Sequence, residues 1–334
     1  MASSALILAG AVAKGAFEAG ALSVLAERAD LSIQRVVGAS SGALNGALFA
    51  AGLRTGGPAE AAAQMVEIWR DEASWRDVFT VNLKDIFQLR GAGTHGHVLG
   101  LMESAREKLH GEGAHAVELR IVLTDLTGQV GSINGQPATT FGNVRCFRDA
   151  DFDSKDSWNV ICRTALGSAA LPIVYAPVDV PHVGPCLDGG ILNNTPVKQA
   201  ISGGDVHRII VVCAHPRLVR APTDARGLTL ASEFVDILIN ERLYRDLRDA
   251  YDVNRLVDQL EGLRSTGQLS DEAMSTISAL KPWRKIEIVE IRPSEPLPGS
   301  AIAGFGDRTL RERYIEMGAE AAIAALSRIA GSSA

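Results

Sequence analysis

Apolar residues gather into short runs along this 334-residue chain, and several of the runs stop at glycine. SALILAG (4–10) is a continuous apolar run of strand length, which reads as a strand buried on both faces. From Lys14 to Glu27 the apolar positions Phe17, Ala21, Leu22 and Leu25 follow the spacing of one helix face. IQRVVGAS (33–40) is a β-branched run with a glycine near its end, and SGALNGALFAAGL (41–53) is rich in small helix-compatible residues. The order strand, loop, helix, strand, tight turn, helix predicts crossover units around a parallel sheet.

The pattern continues downstream. PAEAAAQMVEIWRDEA (58–73) opens with proline at a first helical turn and runs as an amphipathic helix. Residues 74–117 read as helices around the loop RGAGTHGH (90–97). VELRIVLTDL (117–126) returns to strand, and its continuation through FGNVRCF (141–147) adds further strand, with turns at TGQ and NGQ. DSWNVICRTALGSAA (156–170) is helical and stops before Pro172, and HRIIVVCAH (207–215) is another buried strand. Helices are expected over 228–264, 270–281 and 307–329, with a strand at KIEIVEI (285–291). With no repeat, low-complexity tract or linker, the expectation is one α/β domain over 1–334. Its central, mostly parallel sheet carries helices on both faces, its core motifs lie within 4–201, and its C-terminal part (228–330) is helical.

Composition narrows the function. Net charge is −6, so there is no basic stripe of the kind nucleic acid requires. The mixed-sign run NERLYRDLRDAYD (240–252) reads as a solvated helix face. Cys146, Cys162, Cys186 and Cys213 form no C-x-x-C pair or zinc spacing, and are expected as buried reduced thiols. No run of 18 apolar residues occurs. ALILAGAVA (5–13) ends in an A-x-A-like triplet, yet no Lys or Arg precedes it and it is short, so it is assigned to the first strand and not to a leader. A cytoplasmic location is the matching expectation.

Candidate chemistry centres on Gly38-Ala39-Ser40-Ser41-Gly42, a G-x-S-x-G pattern between a strand and a helix. Glycines on either side allow a sharp turn, and the serine oxygen then projects into the crevice where open α/β sheets bind ligands. The helix that follows adds positive partial charge near a developing oxyanion. Gly10-Ala11-Val12-Ala13-Lys14-Gly15 joins the first strand to the first helix, either as a plain connection or as an anion-binding loop. It is not a phosphate loop, because Ala16 follows Gly15 where Walker A requires lysine. Asp188, followed by Gly189-Gly190, is the candidate base, against the plain reading of an Asp in a turn.

These three pieces in this order, with LPIVYAPV (171–178) ahead of the DGG, resemble the patatin-like phospholipase family over roughly residues 4–201. The closing helix DRTLRERYIEMGAEAA (307–322) is similar in style. The resemblance implies a Ser–Asp dyad in a patatin-like three-layer fold: Ser40 as nucleophile, Asp188 as proton acceptor, and Gly38, Gly42, Gly189 and Gly190 as motif glycines. It implies an oxyanion loop over Gly10, Ala11, Val12, Ala13, Lys14 and Gly15, helped by Ser41. Ala11 and Val12 stand where the family carries glycine. Their N–H groups survive the replacement, but a β-branched residue at positive φ is strained, so either Val12 keeps a negative φ or the hole is reshaped. The implied reaction is acyl transfer from an ester to water, with no metal or cofactor. A triad completed by His215 is the weaker alternative to a hydrogen-bonded strand-end histidine. His207 flanks the same strand, and His95 and His97 read as a solvated or mobile loop without a third metal ligand.

Family resemblance further implies lipid or small acyl-ester substrates. The walls of an acyl groove are expected from 58–117 and 228–264. FVDILI (234–239) suits either a lid or a buried packing face, the latter favoured. Without a polybasic anchor, membrane contact is expected to be peripheral and transient. A catalytically weak lipid- or partner-binding protein, and a thioesterase or small-ester esterase, are the other readings.

Overall fold

The computed structural model describes residues 3–81, 93–109, 115–218, 227–281 and 283–332. The first apolar run forms β1 (Ser4–Leu8), buried at every position. It lies between β2 (Ile33–Gly38) and β9 (Arg208–Val212), parallel to both. β10 (Glu287–Ile291) extends this parallel array beyond β9, and β5 (Glu118–Ile133) extends it beyond β2. Beyond β5 the sheet turns antiparallel, through β6 (Gln136–Arg148), β7 (Val178–Val180) and β8 (Gly184–Leu187). The order is β10-β9-β1-β2-β5-β8-β7, with β6 also on β5. β3 (Thr80–Val81) and β4 (Gly93–Thr94) form a separate antiparallel pair.

Side chains alternate between the two faces of a strand. Leu6 and Leu8 of β1 join Val36, Leu119, Ile121 and Val212 in one core, under the helices Gly15–Leu25, Ser41–Thr55, Lys155–Ser168 and Arg308–Ser332. Ala5 and Ile7 join Val37, Ile209 and Val211 in a second core, covered by Val197–Ile201 and the long helix Gly227–Ser265. Burial on both faces explains why these strands read as unbroken apolar runs. The architecture is therefore α/β, a mostly parallel sheet between two helical layers.

Some local expectations are corrected. The Pro58 helix ends at Glu67 and widens into a π turn over Ile68–Glu72. Within 74–117 the described residues hold only short elements, the helices Trp75–Val78 and Val98–Glu107 with β3 and β4; residues 82–92 and 110–114 of that prediction lie outside them. Cys162, Cys186 and Cys213 are buried free thiols, but Cys146 is exposed on β6, where its thiol bonds to Glu118 Oε1 at 3.0 Å. Among the described residues no helix is long and apolar enough to cross a membrane.

Candidate active site

β2 ends at Gly38 and the next helix begins at Ser41, so Ala39 and Ser40 must reverse the chain in two residues. Ser40 takes φ 53° and ψ −129°, a conformation that costs a non-glycine residue about 1–3 kcal/mol and persists only where the surroundings impose it. The surroundings are close backbone. A Cβ on Gly38 would lie 2.4 Å from Gly42 O, and one on Gly42 would lie 2.3 Å from Leu8 O. The Ser40 N–H donates to Ser168 Oγ at 3.0 Å, which fixes the turn from the far helix.

Asp188 directly follows β8. Its N–H donates to Ala170 O, its carbonyl accepts Thr124 Oγ1 at 2.8 Å, and its Oδ1 accepts the Gly190 N–H at 2.7 Å. The Gly189 N–H donates to Ser168 O, and a Cβ there would lie 2.1 Å from Val122 O. This clamped carboxylate points its Oδ2 at Ser40 Oγ, 2.7 Å away. Both residues are buried. Burial lifts the Asp188 carboxyl to about 6, against the hydrogen bonds from Ser40 and Gly190 that hold it down.

The loop before the first helix passes beside this pair, but its N–H groups are unevenly available. Ala11 donates to Ser41 Oγ at 3.0 Å, Ala13 to Ala301 O, and Lys14 to Ala11 O. Among the described residues the Val12 and Ser41 N–H groups have no acceptor. Val12 sits at φ 53°, the strained alternative of the two left open by the sequence. Gly10 O accepts from Asn194 Nδ2, and Gly15 O from Asn45 Nδ2. Lys14 is buried, with its Nζ 3.2 Å from Asp236 Oδ2 on the long helix. Hydrogen bonds from His215 and Lys14 hold the Asp236 carboxyl below its usual range, although burial works the other way.

His215 does not complete a triad: its Nε2 pairs with Asp236 Oδ1 at 3.1 Å. His207 lies at the opposite end of β9, beside Ser3. His95 corrects the expectation of a solvated loop. It is buried, stacked on Tyr175 at a 4.0 Å centroid distance, and burial pushes its imidazole down to about 4. His97 is exposed. Among the described residues no three His, Cys, Asp or Glu side chains gather as a metal site.

A cavity opens from Ser40 and Asp188 within the helical layer on the Ser41–Thr55 side of the sheet, walled mainly by apolar side chains including Val12, Leu48, Met65, Trp69, Met102 and Phe305. Segment 58–117 supplies much of that wall, as expected; among the described residues 228–264 supplies none of it. In FVDILI, Ile239 is buried while Ile237 and Leu238 are exposed, so a buried packing face describes only part of the stretch; the side chains of Phe234 and Val235 lie outside the described residues. Ser168, Asn194, Thr124 and Asp236 were not singled out from sequence. Each acts on a partner far along the chain, where no local spacing marks it.

VipD from Legionella pneumophila is similar at 13% identity and a TM-score of 0.41, over 98% of this chain and 67% of that chain. The ExoU–SpcU heterodimeric complex of the type III secretion system of Pseudomonas aeruginosa is similar at 14% identity and a TM-score of 0.30, over 84% of this chain and 57% of that chain. Likeness at these scores carries no weight for function. No curated protein is similar enough to count as a match. The family model described as Patatin-like phospholipase matches residues 6–201, which is more than half of the sequence and includes Ser40 and Asp188, and the chain belongs to that family.

Proposed function

We propose that the protein is a serine acyl hydrolase that cleaves carboxylic esters of lipids, with Ser40 as nucleophile and Asp188 as general base. The observation that carries this reading is the 2.7 Å contact between Ser40 Oγ and Asp188 Oδ2 at the mouth of an apolar cavity. Asp188 takes the Ser40 proton as Oγ bonds to the ester carbonyl carbon, and the carbonyl electrons move onto oxygen. The Val12 and Ser41 N–H groups, without protein acceptors among the described residues, are the candidates to hold that oxyanion. The tetrahedral adduct collapses, and the leaving alcohol departs with the proton from Asp188. Water then attacks the acyl-enzyme, Asp188 takes its proton, and Ser40 leaves reprotonated with release of the fatty acid. A carboxyl near 6 is a better base than one at the usual ~3.9, and it is ionised at neutral pH. The cavity accepts an acyl chain in this scheme.

A second reading, a weak or silent relative that binds lipid, draws on the loop. The Ala11 N–H is occupied by Ser41 Oγ, and Val12 is strained, so the hole is narrower than a glycine loop would make it. A fluorophosphonate probe separates the two. One adduct per chain, lost in Ser40→Ala and slowed in Asp188→Asn, supports the hydrolase; equal behaviour of wild type and Ser40→Ala rejects it. Turnover of phospholipids, acyl thioesters and short esters then assigns the leaving group.

A further inference from the structure

β5 does not stop where the sheet does. Gly38 of β2 registers with Ile121, yet β5 runs on to Ile133 before β6 returns antiparallel to it. β8 stays paired with β5 as far as Asp125, and the eight residues beyond it, at about 3.3 Å each, carry the ribbon up to roughly 26 Å past the sheet. Because β5 is parallel to β2, the ribbon leaves from the same edge of the sheet as the Ser40 turn. The tip is Asn134-Gly135, both at positive φ (51° and 78°), the hairpin turn whose twist matches the strands. At the base, buried Asp125 accepts from the Thr127 N–H and Oγ1, from Asn143 Nδ2 and from Gln129 Nε2. One carboxylate thus ties both strands together where they leave the sheet.

The composition of the ribbon differs from that of the rest of the chain. Leu126 to Val144 contains no Asp, Glu, Lys, Arg or His, in a protein that is 22% charged. Its apolar side chains face outward: Val130 is 86% exposed, Ile133 71% and Phe141 48%. They also point both ways. Val130 lies opposite Thr139, so it shares a face with Phe141, whereas Ile133 lies opposite Gln136 on the other face. A protein docked on one face would leave the other apolar residue in water. A medium that surrounds the tip accommodates both faces, and a ribbon without charges enters it at no cost in ion desolvation. Threonine, serine, glutamine, asparagine and glycine fill most of the remaining positions, which suits the hydrated headgroup layer and excludes deep passage through hydrocarbon.

We propose that this ribbon is a lipid-surface anchor: its tip inserts shallowly into a bilayer or lipid aggregate and holds the Ser40 edge of the sheet toward that surface. The choice of lipid as partner rests on the acyl-hydrolase reading, and the test therefore reads binding and turnover separately. Wild type and the double variant Val130→Asp/Ile133→Asp are sedimented with phosphatidylcholine vesicles at low and high salt. The same preparations are assayed on a water-soluble short-chain ester. Expected results are vesicle binding by wild type that 1 M salt does not weaken, a drop of at least tenfold in the variant, and ester turnover equal within about twofold. Val130→Ser/Ile133→Ser gives a smaller loss in the same direction and guards against misfolding of the aspartate variant. Absence of wild-type binding, or equal binding by wild type and both variants, overturns the anchor. So does a lipid-free wild-type dimer that the variants convert to monomer, since the ribbon edge then pairs with a second copy. Ribbon-dependent vesicle binding by a wild type that neither turns over the ester nor reacts with the fluorophosphonate probe at Ser40 supports the anchor and rejects the hydrolase reading.

Discussion

Ser168 accepts the N–H of Ser40 through its side-chain oxygen at 3.0 Å. Its own carbonyl accepts the N–H of Gly189, the residue after Asp188. One residue in the last turn of a helix therefore sets the relative position of the two groups proposed to react. Ser168→Ala leaves the Ser40 N–H buried without a partner, at a cost of about 1–3 kcal/mol in stability. Fluorophosphonate labelling should slow about tenfold, which corresponds to about 1.4 kcal/mol. Ser168→Thr, which keeps the hydroxyl, should recover part of the rate. Urea unfolding alongside labelling kinetics tests this; an unchanged labelling rate in Ser168→Ala would remove the positioning role.

Asp188 sets a pH dependence with a definite sign. As a base it works ionised, so acylation should fall about tenfold per pH unit below about 6 and level off above it. Stability runs the other way. The folded carboxyl is lifted above the ordinary ~3.9, so the native state holds the proton more tightly than the unfolded chain does. Ionisation therefore costs stability as pH rises from about 4 to about 6, and the cost remains above that window. Asp188→Asn should be inactive yet more stable than wild type at pH 8, by up to about 3 kcal/mol, with the difference shrinking at pH 4. Denaturant unfolding at both pH values reads the difference.

Lys14 and Asp236 join the loop beside Ser40 to the long helix, with both side chains largely out of solvent. Asp236→Ala strands a buried ammonium and should cost about 3 kcal/mol or more. Lys14→Met with Asp236→Leu should cost less, because neither a buried ammonium nor a buried carboxylate is left unpaired and only His215 Nε2 loses its partner. The depressed Asp236 carboxyl contributes stability above its unfolded pKa and loses it as pH falls through the folded one, so the penalty of Asp236→Ala should fade in acid. A double-mutant cycle at pH 7 and at low pH measures both; additive single penalties would mean the pair does not couple.

Val12 at φ 53° stores strain of about 1–3 kcal/mol. Glycine at this position relieves it but adds about 0.5–1 kcal/mol of unfolded-chain entropy. Val12→Gly should accordingly match wild type in stability to within about 1 kcal/mol, while Val12→Ala, which keeps a Cβ and loses packing, should be the less stable of the two. The reverse order in thermal melts would place the strain elsewhere.

What the sequence disclosed follows from the range of the interactions. Ser40 was legible because its turn is written in five consecutive residues, strand before and helix after. Asp188 was legible through the glycines that follow it. Ser168 and Asn194 were not, because their partners Ser40 and Gly10 lie far away in the chain and a lone polar residue carries no period. His95 was misread as solvated because glycines surround it, while the ring that buries it, Tyr175, comes from a distant segment. The turns at TGQ and NGQ were visible, but not the length of the ribbon, since its uncharged residues lack a clean apolar–polar alternation.

β1 is synthesised before both strands that flank it, and those two neighbours arrive at very different times. β2 follows within one helix, but β9, which pairs with Ser4–Leu8 along their whole length, comes only after about 200 more residues, some 10–40 s at ordinary ribosomal rates. For that interval a strand that is apolar but for Ser4 carries one bare edge. The nascent chain is thus most exposed to mispairing before β9 has emerged, and its yield in a cell depends on what shields that edge during translation.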